Sequence, residues 1–147
     1  MPTQSFRAAA STPTSPDEAW TSLQRAATWE GVAGVDEISN AAHAADGALT
    51  SFDFTVSVGT MRYPGTSRVT HAERPRHMRL ELTTTELVAT IEVRLTDMAG
   101  DTGVEVDLAV STKTFLAALF FGAIADSIGR GLPAATEAFA QRLAAVP

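Results

Sequence analysis

Cysteine is missing from this chain, which excludes disulfides, thiolate metal sites and cysteine nucleophiles together. Lysine is nearly missing too: Lys113 stands alone against ten arginines. With so much Ala alongside, that usage matches a G+C-rich bacterial genome better than a binding adaptation. Positive charge as a whole is scarce. Eleven cations against 17 carboxylates leave a net charge of −6, and a protein of that sign repels phosphate backbones unless its cations cluster. Nucleic acid is therefore not an expected partner.

Long apolar runs are also absent. The longest, Phe115 to Ala125, covers eleven residues before Asp126 and Arg130 interrupt it. A spanning helix needs about 20 apolar residues, so no transmembrane segment is expected. The start, MPTQSFRAAAST, lacks the basic head and apolar stretch of a secretory signal, which makes the cytoplasm the expected location. Histidine is sparse, and His43, His71 and His77 show no HxH or HExxH spacing, so no metal and no cofactor are expected. Nucleophile elbows, phosphate loops and a Ser-His-Asp order are missing as well.

What remains is a well-patterned chain of 147 residues, 45% hydrophobic and 19% charged, read as one domain over 1–147. A chain of this length buries roughly 68–70% of its unfolded surface without staples. The segment FRAAAS predicts a first or edge strand within Gln4 to Ser11. Ser15-Pro16-Asp17-Glu18 then announces a helix: Ser15 caps, Pro16 suits the first position, and Glu18 completes a capping box. Ala19, Trp20, Leu23, Ala26 and Ala27 form its buried face.

From Val35 to about Lys113 the period falls to two. Phe52, Phe54, Val56 and Val58 alternate with polar residues, as do Met78, Leu80 and Leu82. Leu87 to Leu95 and Val104 to Val110 do the same. Turns are expected at Asp46-Gly47, Tyr63-Pro64-Gly65, Arg74-Pro75-Arg76 and Ala99-Gly100-Asp101. This predicts a six-strand antiparallel meander with one apolar face and one wet face carrying Arg79, Glu81, Glu92, Arg94, Glu105 and Asp107. A helix over Phe115 to Ala145 covers the apolar face, with a kink or break near Gly129 to Gly131 imposed by Pro133. The run Arg74, Arg76, His77 and Arg79 reads as a solvated hairpin tip, with His77 at the surface.

The order of SPDEAW, WEGVAGV, AERPRHMRLEL, GDTGVEVDLAV and the closing amphipathic helix resembles the SRPBCC superfamily over essentially the whole chain. Its START, Bet v 1-like and aromatase/cyclase members share a helix-grip fold. WEGVAGV and the Ala/Phe/Gly-rich last helix look most like two of its branches, the polyketide cyclase/dehydrase-like one and the one named for a small carbon monoxide dehydrogenase subunit. The resemblance implies an α+β fold, a curved antiparallel β-sheet wrapped around a long C-terminal α-helix, with two short helices after the first strand. It implies a cavity between sheet and last helix for a hydrophobic small molecule that is aromatic, polyketide-like or lipid-like. It implies no fixed catalytic set.

The expected lining of that cavity is Phe52, Phe54, Met78, Leu80, Ile91, Phe115, Leu119, Phe120 and Ile124, with Trp29, Tyr63 and His71 beside it. Ala and Gly between the helix aromatics leave volume unfilled. His71 is in phase with Val69 and is expected to point inward, as an acid/base, a donor to a ligand carbonyl, or a plain core histidine. Tyr63 either touches ligand or reaches water over the core. Trp29 either rims the mouth or plugs a minor core. Three functions follow: a hydrophobic-ligand binder, a cyclase/dehydratase using His71 or Tyr63, and an accessory factor docking on a larger enzyme or membrane. A monomer or homodimer fits all three.

Overall fold

A computed structural model describes residues 3–32, 35–58, 60–113 and 115–144, excepting the side chains of residues 57, 58, 61, 115–125 and 127. The elements run β1 (Thr3–Thr12), α1 (Pro16–Leu23), a 3-10 turn (Ala26–Trp29), β2 (Val35–His43), β3 (Leu49–Val58), β4 (Met61–Glu73), β5 (His77–Thr84), β6 (Leu87–Met98), β7 (Asp101–Thr112) and α2 (Phe115–Leu143). The helix start lies where Ser15 predicts it: its side chain accepts from the Glu18 N–H at 3.2 Å, and Pro16 opens the helix. The reciprocal half of the box is replaced. Glu18 Oε2 instead accepts from the Thr14 hydroxyl at 2.8 Å.

Strands β2 to β7 form the predicted six-strand meander, and β1 returns to pair with β7. The result is one seven-stranded antiparallel curved sheet, ordered β1-β7-β6-β5-β4-β3-β2. Period-two patterning fixes its faces. Met78, Leu80, Leu82, Ile91, Val93, Val104, Val106 and Leu108 are all buried on the inner side. On the outer side Arg94 bridges Glu92 and Asp107 at 2.8 Å each, and Arg7 meets Asp107 at 2.5 Å. The hydrogen bond that Arg7 donates to Asp107, followed by the charge of that carboxylate, raises the Arg7 pKa.

Two backbone expectations need correction. Tyr63-Pro64-Gly65 is not a turn but lies inside β4, because Val58 pairs directly with Met61. Pro64 is tolerated there because pairing with β5 begins only at Gly65↔Thr84, which leaves Pro64 a strand neighbour on one side alone. Gly65 is needed for space: a Cβ there would lie 2.6 Å from the Thr83 carbonyl oxygen and 2.7 Å from Phe54 Cζ. The expected break in the last helix is also absent, since α2 runs as one element from Phe115 to Leu143 through Pro133. Tertiary packing holds the two sides of Pro133 together. Gly129 lies so close to Phe6 of β1 that a Cβ would collide with the ring, while Leu132, Phe139, Ala140 and Leu143 are buried.

The C-terminal half of α2 is also tied by hydrogen bonds. Ser22 donates to the Leu143 carbonyl at 3.0 Å, and Arg142 Nε donates to the Thr28 carbonyl at 3.0 Å. Arg142 Nη2 reaches the Glu30 carbonyl. Burial lowers the Arg142 pKa, opposed by Glu30.

Candidate functional site

The inner face and α2 enclose a cavity near one end of the sheet. Phe54 and Val56 of β3, Leu82 and Thr84 of β5, Leu87 and Ala89 of β6, and Leu108 and Val110 of β7 form its floor, with Ile128 of α2 above. Cross-strand register assembles this floor: Leu82, Ala89 and Val110 are successive partners, and Phe54 reaches Thr84 through Gly65. Gly65 lets the Phe54 ring lie against the strand, and the short side chain of Ala89 leaves part of the floor low.

The space open to the centre of a water molecule is ≈ 30 Å³, within ≈ 360 Å³ of unfilled volume that includes its open mouth. The lining is almost wholly apolar. Among the described residues its single hydroxyl, on Thr84, is occupied by accepting from the Leu87 N–H at 2.9 Å and the Glu86 N–H at 3.1 Å. Beside the floor, Ser67 is buried between its strand partners Phe52 and Leu82, and its Oγ has no partner. A solvent-facing cleft of ≈ 580 Å³ lies elsewhere, among Ala27, Glu30, Gly31, Val35, Asp36 and Arg142. There the guanidinium is committed to the backbone of residues 28 and 30.

The expected site residues separate into groups. Phe54 lines the cavity. Phe52, Met78, Leu80 and Ile91 are buried on the same inner face but belong to packed core, with Phe52 edge-on to Phe54 at 6.2 Å. Tyr63 is half-buried against the core and pairs with Val56, which puts it beside the cavity on the inner face. Phe115, Leu119, Phe120 and Ile124 fall on α2, but their side chains lie outside the described residues. Trp29 takes its packing alternative: it is fully buried, stacks at 5.1 Å on Phe139 and donates to the Leu23 carbonyl at 3.0 Å.

His71 does not point inward. Pairing of β4 with β5 slips between Val69 and His71, so Thr70 is an extra residue and the side-chain alternation reverses there. His71 therefore stands opposite Arg79 on the wet face with its side chain 50% exposed. Reaching the cavity would require it to cross the sheet. His77 is not in a turn either. It opens β5, half-buried, with its ring 4.8 Å from that of His71. Sequence spacing shows no metal set, yet the hairpin brings ligand atoms of His71, Glu73 and His77 within 4.8 Å of one another. Val56, Leu82, Thr84, Leu87, Ala89, Leu108, Val110 and Ile128 are not singled out as lining by the sequence. Their alternation marks the face, but only inter-strand register marks the end of it left open.

No family model and no curated protein matches the chain by sequence. Solved structures do match by fold. A Thermus thermophilus protein superposes with TM-score 0.75 at 8% identity, covering 95% of this chain and 97% of that one. The Zhui aromatase/cyclase of a Streptomyces species superposes with TM-score 0.69 at 12% identity, covering 92% of each chain. A START superfamily protein of Mycobacterium smegmatis gives 0.61 at 13% identity, over 87% of this chain and 96% of that one. The fold is thus the helix-grip fold seen in START and Bet v 1-like structures.

Proposed function

We propose that this protein binds a hydrophobic small molecule between the inner face of the sheet and α2, as a cytoplasmic monomer or homodimer. The observation carrying this reading is a cavity whose described lining is apolar, its one hydroxyl among the described residues being already satisfied. Such a surface gains by excluding water and offers an incoming polar group little. The helix-grip fold supports the reading because it sets a broad apolar sheet against a single helix. Size adds a requirement. A cavity of about 150 Å³ takes up benzene, so ≈ 30 Å³ must grow when a ring enters. Loading therefore displaces α2 around Ile128, while the hydrogen-bonded end at Leu143 stays in place. Native mass spectrometry and solvent extraction of purified protein test the reading. Uptake of no member of a hydrophobic panel would defeat it.

A cyclase-type activity is the second reading, favoured by the likeness to an aromatase/cyclase and by the inner-face position of Tyr63. His71 drops out of it, and the hydroxyl of Tyr63 carries the proton-transfer role alone. Turnover of a candidate polyketide that survives Tyr63→Phe removes this reading. A docking role has less support. Trp29 is buried, and among the described side chains Met98, 55% exposed, is the only large hydrophobic one at the surface. No helix among the described residues is long and apolar enough to cross a membrane.

A further inference from the structure

The outer end of the β4–β5 hairpin holds a group of side chains that hydrophobic-ligand binding does not use. Glu73 and His77 are direct cross-strand partners, and the one-residue bulge at Thr70 turns His71 onto the same face two residues earlier. Without that insertion His71 would lie on the core side with Val69. Bulges re-aim side chains in this way, at the cost of one unpaired position in the ladder. The outcome is two imidazoles with ring centroids 4.8 Å apart, tilted by 49°, and a carboxylate whose Oε2 is 3.8 Å from His71 Nε2.

We propose that His71, Glu73 and His77 form a binding site for a divalent transition-metal ion of the zinc class. Two neutral imidazole nitrogens and one carboxylate oxygen are the donor set such ions prefer, with a fourth position left to water. The three ligand atoms lie within 4.8 Å of one another. Coordination at the usual bond lengths brings such atoms to roughly 3.3 Å apart. Half-exposed side chains at His71 and Glu73 make that contraction by rotation, without moving strands.

Neighbouring groups complete the environment. Glu92 Oε2 lies 3.3 Å from His77 Nε2, the carboxylate-to-imidazole contact that orients a ligating histidine, so that Nδ1 is the nitrogen His77 would offer a metal. Glu92 is itself held by Arg94 at 2.8 Å and flanked by Arg79 at 3.6 Å. Arg76 takes Glu73 Oε1 at 2.6 Å and leaves Oε2 toward His71. His43, the remaining histidine, ends β2, two strands away from β4, and bonds the Gln24 carbonyl.

The test is titration of tag-free, chelator-treated protein with Co²⁺ and then Zn²⁺ near neutral pH, read by calorimetry and by visible absorption of bound Co²⁺. One ion per chain is expected, with cobalt bands that Zn²⁺ displaces. His71→Ala and His77→Ala each weaken binding by about tenfold or more, Glu92→Gln by about tenfold, and His43→Ala not at all. All four sites are at the surface or half-buried, and circular dichroism checks that each variant remains folded. Absence of saturable binding, or binding unchanged in either His71→Ala or His77→Ala, overturns the proposal. Loss of binding in His43→Ala overturns it as well.

Discussion

The two faces of the sheet are made from alternate residues of the same strands, yet different forces organise them. On the inner face Met78, Leu80, Val93 and Val106 are wholly buried, and stability there follows volume and apolar area. On the outer face Arg7, Arg94, Glu92, Glu105 and Asp107 form a connected ion-pair lattice that remains open to solvent. Pairs of that kind contribute little each and are screened by salt. A substitution therefore has a large effect on one face and a small one on the other, even between adjacent residues. What the outer face offers is arrangement: it places charged and ligating groups at fixed positions with little effect on the fold.

Substitutions on the two faces test this difference. Phe139→Ala, which removes the ring under Trp29, should destabilise by about 3–5 kcal/mol in chemical denaturation. Gly65→Ala should cost about 1–3 kcal/mol, because its Cβ meets the Thr83 carbonyl and the Phe54 ring. Ser67→Ala is expected to go the other way and raise stability by about 1 kcal/mol, since it deletes a buried hydroxyl that has no partner. A loss of stability on that change would show that the hydroxyl is bonded in solution. Arg94→Ala should cost under about 1 kcal/mol, and less still in high salt. An effect as large as that of Phe139→Ala would erase the distinction between the faces.

Much of this layout is legible in the order of residues alone. Ser15-Pro16 marks the first helix, the period-two runs mark four strands of the six-strand meander, and the apolar surplus of Phe115 to Ala125 marks the covering helix. These are local signals, carried by neighbours in sequence. What stays hidden depends on pairing. Thr70 becomes a bulge only against β5, so the inward reading of His71 fails by one residue. Pro64 and Pro133 read as breakers, but one-sided strand pairing and the packing of Gly129 on Phe6 accommodate them. The cavity end around Leu82, Ala89 and Val110 is also a product of register. So is the meeting of His71, Glu73 and His77, since no spacing along the chain encodes it.

The central claim is that the inner face, at its open end, holds an apolar guest. Its most direct measurement is the binding of an environment-sensitive apolar fluorophore by native protein and by Ala89→Phe, with thermal unfolding followed on both. Saturable uptake of one molecule per chain is expected, abolished when the ring at residue 89 fills the floor, while the variant stays folded. No uptake by the native protein, or equal uptake by a folded Ala89→Phe, would contradict it.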